Sequence, residues 1–380
     1  MLTISYKSGK ILLSFLSLGL IFLGISFILP VNVEAVDNNI YIGRITAISR
    51  ESCLTDSASE CDNAKVLLTE DGNKQSTQSV QLKTISKDVQ DISVNYKVGD
   101  KIQVKKVKLA EDKTYLQAIA VDASDQILYL TAILVVLVVL VSRWKGVQSI
   151  IALALTSWGL FGFLLPYFQK NPDNILTVGI LTCFVFLFLN LIVGHGWNIV
   201  SWISFASSAA SFAVSILFSL FTLTFFRLNG LGSDGSLFLA SSGFTTTQLS
   251  NLFLIGIFLA VTGALDDVTS AQSAAIKEIA IAKNGASWPE LFKQGYLIGQ
   301  EHLVSMINTL VLAFAGASLP VFLSLYLQNQ TNIWYLISRA DVLEEIIRSL
   351  LASLTLVLAI PLTAALASFI FSRIYNKKVA

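Results

Sequence analysis

The chain has 380 residues, 54% of them hydrophobic and 13% charged, with a mean hydropathy of +0.69. A soluble globular chain carries about 25% charged residues, so composition excludes an ordinary soluble domain and indicates an integral membrane protein with a small soluble part. The formal net charge of +1 excludes the strongly basic face that a nucleic-acid binder needs.

Charge is unevenly spread. Between Asp37 and Asp125 lie 14 acidic and 12 basic residues, leaving only 25 charges for the other 291 positions. This predicts three regions: 1–36, a polar domain over 37–125, and a membrane domain over 126–380. In the first, Lys7 and Lys10 precede an apolar run over 11–31. That run is long enough to cross a bilayer. Val33-Glu34-Ala35 also suits a signal-peptide cleavage site. Uncleaved anchor and cleaved signal peptide both remain open, and both export the polar island.

Within the island, hydrophobic residues alternate in the manner of strands. Ile40, Ile42, Ile45 and Ile48 form one set, Val66 and Leu68 a second, and Val80, Leu82 and Ile85 a third. Ile102, Val104, Val107 and Leu109 follow, and 115–121 closes the series. Glu70-Asp71-Gly72-Asn73 and Val98-Gly99-Asp100 read as turns. Five or six short strands predict a small all-β domain, an OB-like barrel. Its aromatics are Tyr41, Tyr96 and Tyr115 and its charge is balanced, which argues against nucleic acid as a partner. Cys53 and Cys61 share one exported loop, where an oxidising compartment favours a disulfide.

Seven further apolar runs follow, over 127–141, 147–168, 175–193, 199–226, 249–265, 303–327 and 349–371. The expected fold is therefore an α-helical polytopic bundle of seven or eight transmembrane helices behind a β domain. With Lys7 and Lys10 inside, alternation places Arg143, Lys145, Lys277, Lys283, Lys293, Arg373, Lys377 and Lys378 inside as well. The opposite loops carry only Lys170, Arg227, Arg339 and Arg348. This bias follows the positive-inside rule and sets the orientation, with 37–125 outside and the C-terminus cytoplasmic.

Chemical motifs are sparse. Gly230-Leu-Gly232-Ser-Asp-Gly235 spells G-x-G-x-x-G, but it follows a membrane span and reads as a flexible loop, not a dinucleotide site. The chain has two histidines, His195 and His302, and no nucleophile–base pair is visible, so no enzyme activity, cofactor or metal is expected. Gly263-Ala-Leu-Asp266 invites comparison with intramembrane aspartyl proteases, but no partner aspartate lies within another span.

Polar residues at membrane depth are the remaining signal. Asp266 and Asp267 close the run over 249–265, and Thr262, Asp266, Thr269 and Ser273 share one helix face. Adjacent carboxylates suit a cation or a carried proton; the alternative is a helix end emerging into water. Gln272 continues the polarity. Glu301 and His302 open the next span, with Glu301, Ser305 and Asn308 on one face; interhelical hydrogen bonding is the plainer role for Asn308. Glu344 and Arg348 stand at i and i+4, an ion-pair spacing, and read either as an exposed pair or as an outer gate. Residues 277–300 form the longest inside segment. The serines from Ser201 to Ser215 make a small polar stripe suited to close helix packing.

Three segments carry a family resemblance. Gly263-Ala-Leu-Asp-Asp-Val-Thr-Ser-Ala-Gln272 is similar to the signature of YibE/F-like membrane proteins. So are Gly299-Gln-Glu-His302 with the stretch from Asn308 to Pro320, and Glu344-Glu-Ile-Ile-Arg-Ser349 with the stretch from Leu358 to Thr363. The resemblance spans 126 to the C-terminus and implies a multi-pass bacterial cell-membrane protein. It implies no assigned activity, but it directs attention to Asp266, Asp267, Gln272, Glu301, His302, Asn308, Glu344 and Arg348. The expected function is a transporter or channel for a small ion or solute, with Asp266, Thr269, Gln272, Glu301 and Asn308 forming a polar site between the last three spans. The alternative is an assembly or sensing protein whose exported domain binds an envelope partner and whose inside loop binds a cytoplasmic one.

Overall fold

The computed structural model describes residues 40–52, 60–70, 74–82, 96–108, 114–283, 285–327 and 332–376. The N-terminal apolar segment and the proposed Cys53–Cys61 pair lie outside the described residues; the backbone of Cys61 alone falls on a strand. The chain divides into two compact units, one ending at Val138 and the other running from Val139 to the C-terminus.

In the first unit, β1 (Ile40–Ser52), β2 (Glu60–Glu70), β3 (Lys74–Gln81), β4 (Lys101–Lys108) and β5 (Thr114–Val121) form a mostly antiparallel sheet. Their order is β1-β2-β3-β5-β4, with β4 returning to β1. β3 meets β5 through one parallel pair, Gln81 with Gln117. Ile45, Val66, Leu68, Val80, Ile102 and Val104 fill the interior. Ile42 and Ile48, expected beside Ile45, instead face outward at 51% and 37% exposure. Side chains alternate with a period of two, so Gly43 and Ile45 share the inner face while Ile42 takes the outer. A register shift between Ile45 and Ala47 then adds an irregularity before Ile48. Gly43 is required inside, because a Cβ there would lie 2.3 Å from Val66 Cγ1. The Val98-Gly99-Asp100 turn forms as expected: Gly99 has φ +101° and donates to the Ile45 carbonyl at 2.8 Å.

Helix α1 (Ser124–Trp158) continues through a π-helical stretch, Gly159–Leu164, into α2 (Leu165–Lys170). The predicted spans 127–141 and 147–168 both fall in this 47-residue stretch. Its backbone breaks at Arg143 (φ 51°, ψ −128°), where Arg143-Trp144-Lys145 interrupts the apolar sequence. Then come α3 (Ile175–Phe188) with a π-helical end Leu189–Gly194, α4 (Ile199–Phe226), and the short α5 (Asp234–Ser241). The remainder is α6 (Thr246–Ala282), α7 (Trp288–Ala317), α8 (Leu319–Leu327), α9 (Ile333–Ile337) and α10 (Ala340–Asn376). Among the described residues, six helical stretches are long and apolar enough to cross a membrane.

The helices overrun the apolar windows that located them. The span expected to end at Asp266 extends to Ala282, and the segment 277–300 is largely helical, broken only between α6 and α7. Hydropathy marks the lipid-facing core of a helix, not its polar extensions; at about 1.5 Å per residue, α6 is roughly 55 Å long, against a hydrocarbon layer of about 30 Å. The span expected over 303–327 is divided at Ser318, between α7 and α8.

Helices α6 and α10 form the centre. α10 packs on α6, α7 and α4, and α6 also contacts α3 and α4. Phe212, Phe258, Val261, Leu265, Leu351 and Ala359 lie in the main core. Where helices approach closely, glycine makes room. A Cβ on Gly299 of α7 would lie 2.6 Å from Gln272 Nε2 and 2.7 Å from Ile360 Cγ2.

Candidate functional site

Two polar clusters occupy opposite ends of the α6–α10 core. At the first, Asp266 sits within α6 rather than at its end, with its side chain 18% exposed. The turn between α3 and α4 brings His195 to it, Nε2 lying 3.4 Å from Asp266 Oδ1. That turn is built locally. Gly196 takes φ +87°, and Asn198 caps α4 by accepting from Ser201 N–H. The Asn198 amide donates to the carbonyls of His195 and Gly196, both at 3.1 Å.

The Asp266 carboxylate raises the His195 pKa above its ordinary 6.5, assisted by Asp267 and opposed by partial burial and by Lys145. The sign follows from linkage: a raised imidazolium contributes stability that is fully present below pH 6.5 and lost as pH rises through the folded-state value. A melting-temperature series across pH 5.5–8.5 should therefore show a fall in wild type that His195→Gln lacks. An equal fall in the variant would remove the pair from this account.

Below Asp266 the face shared with Thr262, Thr269 and Ser273 turns into the bundle, and those three are buried. Thr269 Oγ1 lies 2.8 Å from Ser208 Oγ, and Ser204 Oγ donates to the Thr269 carbonyl at 3.1 Å. Further along α4, Thr355 of α10 donates to Ser215 at 2.7 Å. Gln272 joins three helices: its Nε2 donates to the carbonyls of Gly295 on α7, at 3.0 Å, and Ile360 on α10, at 3.2 Å. Removing this buried donor deletes two interhelical hydrogen bonds, so Gln272→Leu should destabilise the bundle by about 1–3 kcal/mol. Denaturation of the purified variant in detergent checks this, and an unchanged midpoint would contradict it.

Other predicted positions stand at the edge of this cluster or outside it. Asp267 is exposed next to Asp266, within electrostatic reach of His195 and of His302 on α7, while Glu301 and Asn308 lie on the exposed face of α7. His195 was not singled out from sequence. The signal was present, since alternation of the spans puts its loop on the same side as Asp266.

The second cluster overturns the exposed Glu344–Arg348 pair. Glu344 is only 5% exposed, and Arg348 Nη2 instead pairs with Glu345 Oε1 at 3.4 Å. The guanidinium also lies over the Phe253 ring, 5.3 Å from its centroid. Glu344 is drawn inward by the glycine-rich loop, which is pinned rather than flexible. The Gly232 amide donates to Glu344 Oε2 at 3.1 Å, and the Gly230 backbone also acts favourably on the carboxylate. Gly230 has φ +72° and lies against the Leu249 carbonyl. Ser233 caps the helix that follows, α5.

Contacts between distant segments respect two sides. Asp173 Oδ1 accepts from Gln248 at 2.8 Å at the Glu344 end, while His195 meets Asp266 at the other. The long apolar helices, with their charges gathered at the ends and in one half-buried site, define a multi-pass membrane protein. Residues 130–373 match the model of the YibE/F-like protein family, and the chain belongs to that family. No curated protein and no solved structure matches the chain.

Proposed function

We propose that the protein is a transporter or channel for a small ion or solute, with Asp266 and His195 holding the cation or proton at one end of the pathway. The observation that carries this reading is a largely buried carboxylate in mid-helix, paired with a histidine and continued by a hydroxyl-lined seam between α4, α6 and α10. Ionisable groups at such depth are costly and are retained where something charged must pass or bind. Thr269 and Gln272 line and brace the seam. In this reading Arg143 divides the first helical stretch into two spans, the β unit is an OB-like barrel outside the cell membrane, and the C-terminus is cytoplasmic.

The test is electrogenic and pH-coupled flux in proteoliposomes, screened over mono- and divalent cations. Saturable flux supports transport. No flux from folded protein would move the reading to assembly or sensing, which the separately packed β unit supports. In that case, deleting 37–125 should abolish function and crosslinking should capture an envelope partner.

A further inference from the structure

We propose that the cavity beneath the glycine-rich loop binds a small zwitterionic solute of the α-amino-acid class, its ammonium group on Glu344 and its carboxylate on Arg348. This site is distinct from the Asp266 cluster and does not depend on transport, since a sensor would need it equally.

The cavity has a volume of about 340 Å³. Its walls include Gly232, Ser236, Phe253, Glu344, Glu345 and Arg348. Glu344 is 95% buried; one carboxylate oxygen is satisfied by Gly232 N–H, and the other, Oε1, has no hydrogen-bond partner among the described residues. Arg348 is in the complementary condition: Nη2 is paired with Glu345, and Nε is buried with no hydrogen-bond partner among the described residues. A buried acceptor on an acid and a buried donor on a base, each unsatisfied, are both costly. The two residues stand one helical turn apart on one face of α10; Arg348 acts on Glu344 through space, but its direct ion pair is with Glu345, so the two orphaned atoms do not satisfy each other.

A cation alone would leave the Arg348 donor unmet, and an anion alone the Glu344 acceptor. A molecule bearing an ammonium and a carboxylate on one carbon meets both. Neither orphaned atom touches water as the side chains stand; both residues line the cavity, and engaging the ligand requires each side chain to reorient about its aliphatic bonds. Glycine keeps space for this movement, since a Cβ on Gly232 would lie 2.5 Å from Glu344 Oε2 and one on Gly256 would lie 3.2 Å from Arg348 Nη1.

The experiment is a thermal-shift and equilibrium-binding series on purified full-length protein at pH 7. The probes are each common L-α-amino acid singly, with methylammonium and acetate as half-ligands. At least one amino acid should raise the melting temperature saturably, and bind at least about tenfold more tightly than either half-ligand, as expected when two charge-assisted contacts replace one. Glu344→Gln and Arg348→Gln should each abolish that response, while Glu345→Gln keeps it. Leu239→Trp, which fills the cavity and leaves both charges in place, should abolish it too, which covers the case in which a charge variant fails to fold. The proposal is overturned if no amino acid binds wild type, if methylammonium alone binds as well, or if binding survives Leu239→Trp. Binding without proteoliposome flux would leave this site standing and remove the transport reading instead.

Discussion

Replacing Asp266 by Asn should leave the protein folded and inserted while lowering flux by about 100-fold or more, the scale on which a positioned proton- or charge-carrying group acts. The substitution keeps the shape of the side chain and removes its charge. Stability should change by less than about 1 kcal/mol, because the partner His195 is nearly half exposed and the pair is partly screened. Asp266→Glu, which restores the charge, should recover part of the flux, and His195→Gln should shift its pH profile rather than abolish it. The measurement is initial flux in proteoliposomes against a matched amount of correctly inserted protein. Normal flux in Asp266→Asn would remove this residue from the pathway.

The second large effect is structural. Gly230→Ala should destabilise the membrane unit by about 3–5 kcal/mol, combining a left-handed backbone conformation with an overlap that cannot relax. An added Cβ would lie 2.4 Å from the Leu249 carbonyl oxygen and 2.5 Å from its carbon, so backbone and not a flexible side chain must give way. Gly263→Ala, on the α6 helix that carries Leu249, is the internal control. A Cβ there meets nothing within 4 Å, and alanine favours helix over glycine by about 1 kcal/mol. Melting curves of the two variants side by side should move in opposite directions. A Gly230→Ala protein as stable as wild type would show that the loop is not held against Leu249.

The positions of the apolar helices were legible in the sequence because lipid imposes a single demand, a long run of apolar side chains. Their ends were not, because polar residues beyond the hydrocarbon obey no such rule; Asp266 therefore looked like a terminus although α6 runs on to Ala282. The pairing of Glu344 was hidden for a different reason. Its partner, Gly232, is 112 residues away, and the contact is made by a backbone amide that leaves no trace in residue identity. Arg348 had two acids within reach on its own helix, and spacing alone does not choose between i−4 and i−3; the loop claims Glu344 and leaves Glu345. In the β unit the strands were legible, but the inward face of β1 was not. Gly43 shares that face with Ile45, and hydrophobic alternation cannot see a glycine.

The serines of α4 bear on how the protein is made. Ser204, Ser207 and Ser211 donate to carbonyls of their own helix, four residues back in each case. These bonds need no neighbouring helix and so are available as soon as α4 is wound. The segment can thus leave the insertion machinery with these three hydroxyls already satisfied. Ser204 then gains a second acceptor, the Thr269 carbonyl, and Ser208 and Ser215 bond to Thr269 and Thr355, when α6 and α10, synthesised afterwards, arrive beside α4. At Ser204 the order of synthesis and the order of assembly are reconciled by a side chain that carries its own provisional partner.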